Sequence, residues 1–258
     1  MPRNLLFAAN LRIYPDVPWA VPLTALYIWF FWQYLEGSGP PDSTSVQRRT
    51  SLSARGLSLR TWGWALVAGG LGIVTLVLGL QVINRVILLP SQAFPNLENV
   101  PASTVMALLL MAAPVAGIVE EAAFRGYMQG PIERRHGFVV AILITGTMFG
   151  IAHLDFTLIL WAYYVAVAAL YGTVTSITGS ILPAVVLHTS GNMYSNFDLW
   201  RHGQAEWQAR PGPTTLIWQN GPDGSFWMSN VALVVVGAIM VWAFVRLKRS
   251  AKVSEQRL

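Results

Sequence analysis

The sequence contains no cysteine. That excludes a disulfide framework, a thiolate nucleophile and any cysteine-based metal site. Charge is scarce as well: only 11% of residues are charged, against about 25% in a soluble globular chain. No HExxH occurs, so the common helical signature of zinc proteases is missing. Acids are fewer than bases, and the formal net charge is +5. In a chain this apolar, that excess speaks to orientation in a membrane and not to a nucleic-acid partner. What is abundant is hydrophobic: 54% of residues, with 11 tryptophans suited to interfacial belts. A single all-α, polytopic transmembrane helical bundle is the simplest fold for this composition, although the length alone would permit two domains.

Apolar runs predict seven spans, near residues 17–36, 62–84, 101–130, 138–154, 157–177, 181–195 and 228–247. Each approaches the roughly 20 residues needed to cross a bilayer. An eighth, partial crossing would come from the N-terminal arm, whose "LLFAAN" run is too short for a signal-peptide core. Arg85 is expected to snorkel from the end of the second span, and Gly130-Pro131 to end the third. Three blocks are expected: residues 1–99, an arm and two spans; 100–196, a chemical core; and 197–258, a Trp-rich loop, the last span and a basic tail. The first loop, the 130–136 turn and the tail carry most Lys and Arg. The positive-inside rule then predicts a cytoplasmic C-terminus, with Arg3 and Arg12 counting mildly against it.

Ionisable residues at membrane depth are few: Glu120, Glu121, Arg125, His153 and His188. A charge there costs several kcal/mol on insertion scales of about 2.5–3.5 per residue, so each needs a reason. Glu121 and Arg125 are four apart and face each other along a helix, as a structural ion pair would. Glu120 lies about 100° around from Glu121, which leaves it as the carboxylate available for chemistry. "FGIAH" sets Phe149 and His153 four apart, and "HTSGN" does the same for His188 and Asn192. A lone histidine in a span is commonly a satisfied interhelical hydrogen bond. Two histidines, an asparagine and a spare glutamate are harder to explain that way. Counted from His136 at about 1.5 Å per residue, Glu120 and His153 come out level, and His188 and Asn192 fall at a similar depth from the basic side. Gly126 with Gly130, and Gly146 with Gly150, form GxxxG pairs that let helices approach.

"EEAAFRG", "FGIAHL" and "GSILPAVVLHTSGN" resemble the three motifs of the CPBP family, the CAAX-protease and bacteriocin-processing intramembrane proteases, also called ABI or Rce1-like. The family pattern is EExxxR, FxxxH and HxxxN, and all three occur here in order. The resemblance implies endoproteolysis of a membrane-associated peptide or protein. It implies that Glu120 activates water, with His153, His188 and Asn192 as the other catalytic positions. Asn192 would donate to a developing oxyanion. Two histidines and a carboxylate also suffice as ligands for a catalytic zinc with an open water position, so a divalent metal on His153 and His188, with Glu120, and a metal-free water are both open. Competing classes are a non-catalytic scaffold or immunity-type protein with a retained site, and a proton-coupled transporter, against which no motif repeats between the two halves. A bacterial inner membrane is the expected location.

Overall fold

The computed structural model describes residues 2–88, 97, 99–153, 158–202 and 215–255, and among them all regular structure is helical. α1 (Pro2–Ile13) and α2 (Ala20–Leu35) open the chain. A 3-10 turn (Asp42–Thr44) and the short α3 (Ser45–Leu52) lie in the first loop. α4 (Leu59–Val86) follows, then α5 (Ala102–Glu121), a π-helical segment (Ala122–Gln129) and α6 (Gly130–His136). α7 (Phe138–Ala152), α8 (Leu158–Thr178), α9 (Leu182–His202), α10 (Ile217–Asn220) and α11 (Gly224–Glu255) complete it.

Four helical stretches are long and apolar enough to cross a membrane: Leu59–Val86, Ala102–His136, Leu158–Thr178 and Gly224–Val253. The other expected spans are helices too. α2 has 16 residues and α7 has 15, both short for a crossing, and α9 mixes apolar residues with His188, Asn192, Asn196, Asp198 and Arg201. The N-terminal arm is a helix packed on α2 and α5. Asn10 at its end is fully buried and satisfied, giving Nδ2 to the carbonyls of Tyr14 and Val17 and accepting from the Ala20 amide. Most of the 90–100 loop, the 155 turn and residues 203–214 of the Trp-rich segment lie outside the described residues.

Two expectations are corrected. Gly130-Pro131 does not end the third helix, which runs on to His136 and stops at Gly137, where φ is 84°. Proline has no N–H to give and crowds the carbonyl of the preceding turn. Here Pro131 falls in the first turn of α6, just past the π segment, where the change of register has already interrupted the ordinary ladder. Arg85 does not merely snorkel. Its guanidinium grips the Asp223 carboxylate at 2.8 Å, the Thr215 carbonyl at 2.8 Å and the Ser225 hydroxyl at 3.0 Å. Asp223 in turn caps α11 by accepting from the Phe226 amide, and these hydrogen bonds, that from Arg85 foremost, hold its carboxyl well below the usual carboxylate range.

The bundle has one main core. Ala65 and Ala68 of α4, Phe124, Phe149, the α8 row Leu160, Tyr164, Val167, Leu170, Tyr171 and Val174, Leu187 of α9, and Ala243 and Leu247 of α11 pack together. The basic segments share one end of it. Ser180 donates to the Arg55 carbonyl, Thr61 pairs with Ser250 across α4 and α11, and Gly126 lies against the Ser51 and Leu52 backbone. A second, smaller cluster of Leu35, Leu52, Ala122 and Ile181 seats the first loop over the start of the π segment. Arg48 anchors that loop from a buried position, bonding the carbonyls of Gly37 and Gly39 with its guanidinium 4.0 Å over the Tyr34 ring.

Candidate active site

α5 and α9 meet over much of their length, and Gly117 is the reason they can. A Cβ there would stand 2.2 Å from the Thr189 hydroxyl, 3.0 Å from its amide nitrogen and 3.1 Å from the Val185 carbonyl. With hydrogen in place of a methyl, the two backbones come together one turn before Glu121, and the carboxylate is delivered directly onto α9.

Glu121 is wholly buried. Its Oε1 accepts from His188 Nδ1 at 2.7 Å and faces Arg125 Nη1 at 3.2 Å. The sequence reading paired Glu121 with Arg125 alone. The structure adds a cross-helix partner, so Glu121 is part of the histidine's environment as well as of the ion pair. A carboxylate can only accept here, so Nδ1 of His188 carries the proton, and in the neutral ring the lone pair is on Nε2. That nitrogen lies 3.7 Å from Glu120 Oε2. The two adjacent glutamates therefore address opposite nitrogens of one imidazole. The 100° between them on the helix places one carboxylate on each side of the ring.

Arg125 sits in the π segment, which departs from the α register immediately after Glu121. Such segments are rare and concentrate at functional sites. The Arg125 guanidinium is sealed from solvent and caged by aromatic rings, with its carbon 5.3 Å from the Phe149 centroid, 5.5 Å from Tyr171 and 6.0 Å from Phe124. The quadrupole of each ring favours a cation over its face. The far end of the π segment is fixed by Gln129, 2% exposed, which donates to the Gly172 carbonyl at 3.0 Å and to Glu133 at 3.2 Å.

His153 ends α7 and is exposed. Its Nδ1 meets the Phe149 carbonyl at 2.8 Å. A carbonyl only accepts, so this nitrogen too carries the proton, and Nε2 is the basic one in the neutral ring. Among the described residues His153 makes no hydrogen bond to either glutamate. It joins the cluster through Phe149, whose ring centroid is 4.6 Å from His153 and 6.1 Å from His188. Asn192 stands one turn beyond His188 on α9, half-buried. Four of the residues singled out in sequence, Glu120, Glu121, Arg125 and His188, are thus in direct contact. His153 is linked through an aromatic ring, and Asn192 is linked by helix register.

Among the described residues no three His, Asp or Glu side chains are grouped as ligands for a metal ion. His188 and Glu120 form a close pair, each histidine commits Nδ1 to an acceptor and keeps Nε2 free, and His153 lies in a different part of the cluster. A divalent ion would be held by Nε2 of His153 and His188 with Glu120.

The GxxxG glycines separate by role. Gly146 meets Val165 and Ala168 of α8, Gly150 meets Trp161 and Tyr164, and Gly126 meets the first loop, whereas Gly130 touches only its own helix's Arg134. Sequence reading missed the packing role of Gly117 and overlooked Gln129 and two α8 tyrosines. The tyrosines, seven apart in an apolar helix, carried the only available signal.

Residues 102–194 match the family model described as "Type II CAAX prenyl endopeptidase Rce1-like". No curated protein and no solved structure matches the chain.

Proposed function

From the match of residues 102–194 to the Rce1-like family model, we propose that the chain is an intramembrane endopeptidase that hydrolyses a peptide bond of a membrane-associated peptide or protein. The observation that carries the proposal is the two-sided grip on His188: Glu121 on Nδ1 at 2.7 Å and Glu120 facing Nε2 at 3.7 Å.

In this reading a water sits against both Glu120 Oε2 and His188 Nε2, donating one hydrogen to each. Both groups are acceptors in the state described, so the water's lone pairs are turned outward toward a scissile carbonyl. As its oxygen bonds the carbonyl carbon, Glu120 takes the proton as general base, a contribution of about 10²–10⁴-fold in rate. Asn192 donates to the oxyanion, and the proton on Glu120 passes to the leaving amine as the C–N bond breaks. His153, with Nε2 basic, orients the substrate or water from the α7 side. Glu121 and Arg125 act on His188: the carboxylate sets the tautomer, and the caged guanidinium balances the carboxylate. Every step above is carried by the chain's own residues; a divalent ion on Nε2 of His153 and His188 with Glu120 would supply a polarised water.

The protein is an integral membrane protein, with four helices able to cross and a family of membrane proteases behind it. We place it in a bacterial inner membrane with the C-terminus cytoplasmic, which the basic end formed by the first loop, α6 and α11 supports. The test is cleavage of a farnesylated CAAX-type reporter peptide by purified protein. Wild type should cut it and Glu120→Ala should not, while both keep the same helical content and melting behaviour. A fully active Glu120→Ala protein would sink the assignment.

A further inference from the structure

α8 carries none of the three sequence motifs, yet it touches both helices that position the site histidines, α7 and α9. It presents one tyrosine to each imidazole. Tyr171 stacks on His188 with centroids 5.1 Å apart and planes 13° from parallel. Tyr164 stacks on His153 at 4.7 Å and 27°. Both tyrosines are buried, at 5% and 3% exposure. They are seven residues apart, 20° short of two full turns, so they share one face of α8 about 10.5 Å apart along it.

A single hydrogen bond to Nδ1 fixes which nitrogen is protonated, but it leaves the ring free to swing about that bond. Swinging would carry Nε2 of His188 away from Glu120. A flat aromatic ring against the imidazole removes this freedom, because the favourable offset-stacked contact exists in only one plane. The hydrogen bond and the stack together fix the nitrogen's direction, and neither does so alone. The same pair of restraints recurs at His153, with the Phe149 carbonyl as the acceptor and Tyr164 as the plate.

We propose that Tyr164 and Tyr171 are positioning residues: a two-plate rack on α8 that holds the ring planes of His153 and His188 so that their Nε2 atoms point into the site. The reading rests on the endopeptidase function proposed above, but one of its tests does not. Tyr171 also receives the Arg125 guanidinium 5.5 Å from its ring, so a single ring registers the imidazole against the carboxylate's counter-charge. It is the ring that makes both contacts.

The experiment uses the full-length detergent-solubilised protein labelled with ¹⁵N-histidine, with Leu and Phe variants at each tyrosine. In wild type, His153 and His188 should each show a single tautomer with the proton on Nδ1. Tyr171→Leu should broaden or average the His188 ring signals and leave those of His153 alone, and Tyr164→Leu should do the reverse. Both Phe variants should look like wild type. On the reporter peptide, each Leu variant should lose kcat on the order of 10²-fold, as for a small misplacement of a catalytic group, with KM within about twofold, and each Phe variant should retain activity. Thermal unfolding run alongside separates a collapsed fold from a mispointed ring. Unchanged histidine signals in the folded Leu variants would overturn the proposal, as would signals disturbed without the one-to-one pattern, or failure of Phe to rescue. If wild type does not cut the reporter but the NMR pattern holds, the rack stands and the reaction assigned to it falls.

Discussion

Two helix pairs dominate the molecule, and they use charge in opposite ways. α4 and α11 pack along their lengths through apolar and small residues, and their polar contacts are confined to the ends: Thr61 with Ser250 and Arg246 over the Trp64 and Trp242 rings at one end, Arg85 with Asp223 at the other. α5 and α9 pack as closely, yet their charges meet inside the continuous helical stretch Ala102–His136, where Glu120, Glu121 and His188 touch. An end charge is paired near solvent and costs little. A charge held within the bundle needs a partner, a cage and a close backbone approach, and this molecule supplies all three through Arg125, the aromatic rings and Gly117. The difference separates a pair that anchors from a pair whose interior charges support the proposed chemistry.

The largest expected effect breaks the second pair at its reacting group. Glu120→Ala should lower kcat by about 10²–10⁴-fold with little change in melting, and cleavage assays on refold-checked protein measure it. Next comes a direct contrast of two arginines. Arg125→Ala leaves Glu121 buried beside an incomplete partner set and should cost about 3–5 kcal/mol. Arg85→Ala removes a clamp whose Asp223 side chain is 51% exposed, and should cost much less, because solvent screens an exposed pair. Equal losses in the two denaturation series would erase the distinction between end and interior charge.

A smaller effect tests the approach of the helices. Gly117→Val should separate α5 from α9, lowering activity more than it lowers stability, because the Thr189 hydroxyl and amide stand in the way of a Cβ. Gly79→Ala on α4, with nothing within 4 Å of the added carbon, should instead stabilise by about 0.5–1 kcal/mol. Chelation should leave activity intact once bound metal is stripped below stoichiometry. Loss of activity with recovery on adding zinc would return a metal to the mechanism. Smallest is a pH effect at the α4–α11 end. The Asp223 carboxyl is depressed, so its stabilising contribution is complete above the ordinary carboxylate pKa of about 3.9 and fades as pH falls toward its lower folded value. The stability difference between wild type and Asp223→Asn should be flat from pH 7 to about 5 and shrink only below about 4.

Much of the helical layout was legible in the sequence because hydrophobic length and turn residues act locally. The second and fifth spans were found within three residues, whereas the seventh runs farther out, to Glu255, because Lys, Arg and polar residues continue a helix beyond the apolar run. The continuation through Pro131 was not legible, since it depends on a π register that no local propensity announces. At the candidate site, the residue types and their i, i+4 spacings were readable. The link from Glu121 to His188 was not, because 67 residues separate them and only packing through Gly117 brings them together.

The sequence alone determined that the chain is an apolar helical bundle without thiol chemistry, that its few interior ionisable residues fall on three helices in a family-like order, and that its basic segments are spaced to share an end. Those properties follow from composition and from the fixed rise and twist of a helix. The tertiary structure decided the rest: which imidazole nitrogen each glutamate faces, how the first loop seats over the π segment, and which two rings of α8 press on the histidines. Each of these depends on contacts between helices far apart in the chain. Their distances are set by where glycine lets two backbones touch and where an aromatic ring holds them apart, and helix periodicity carries no record of either.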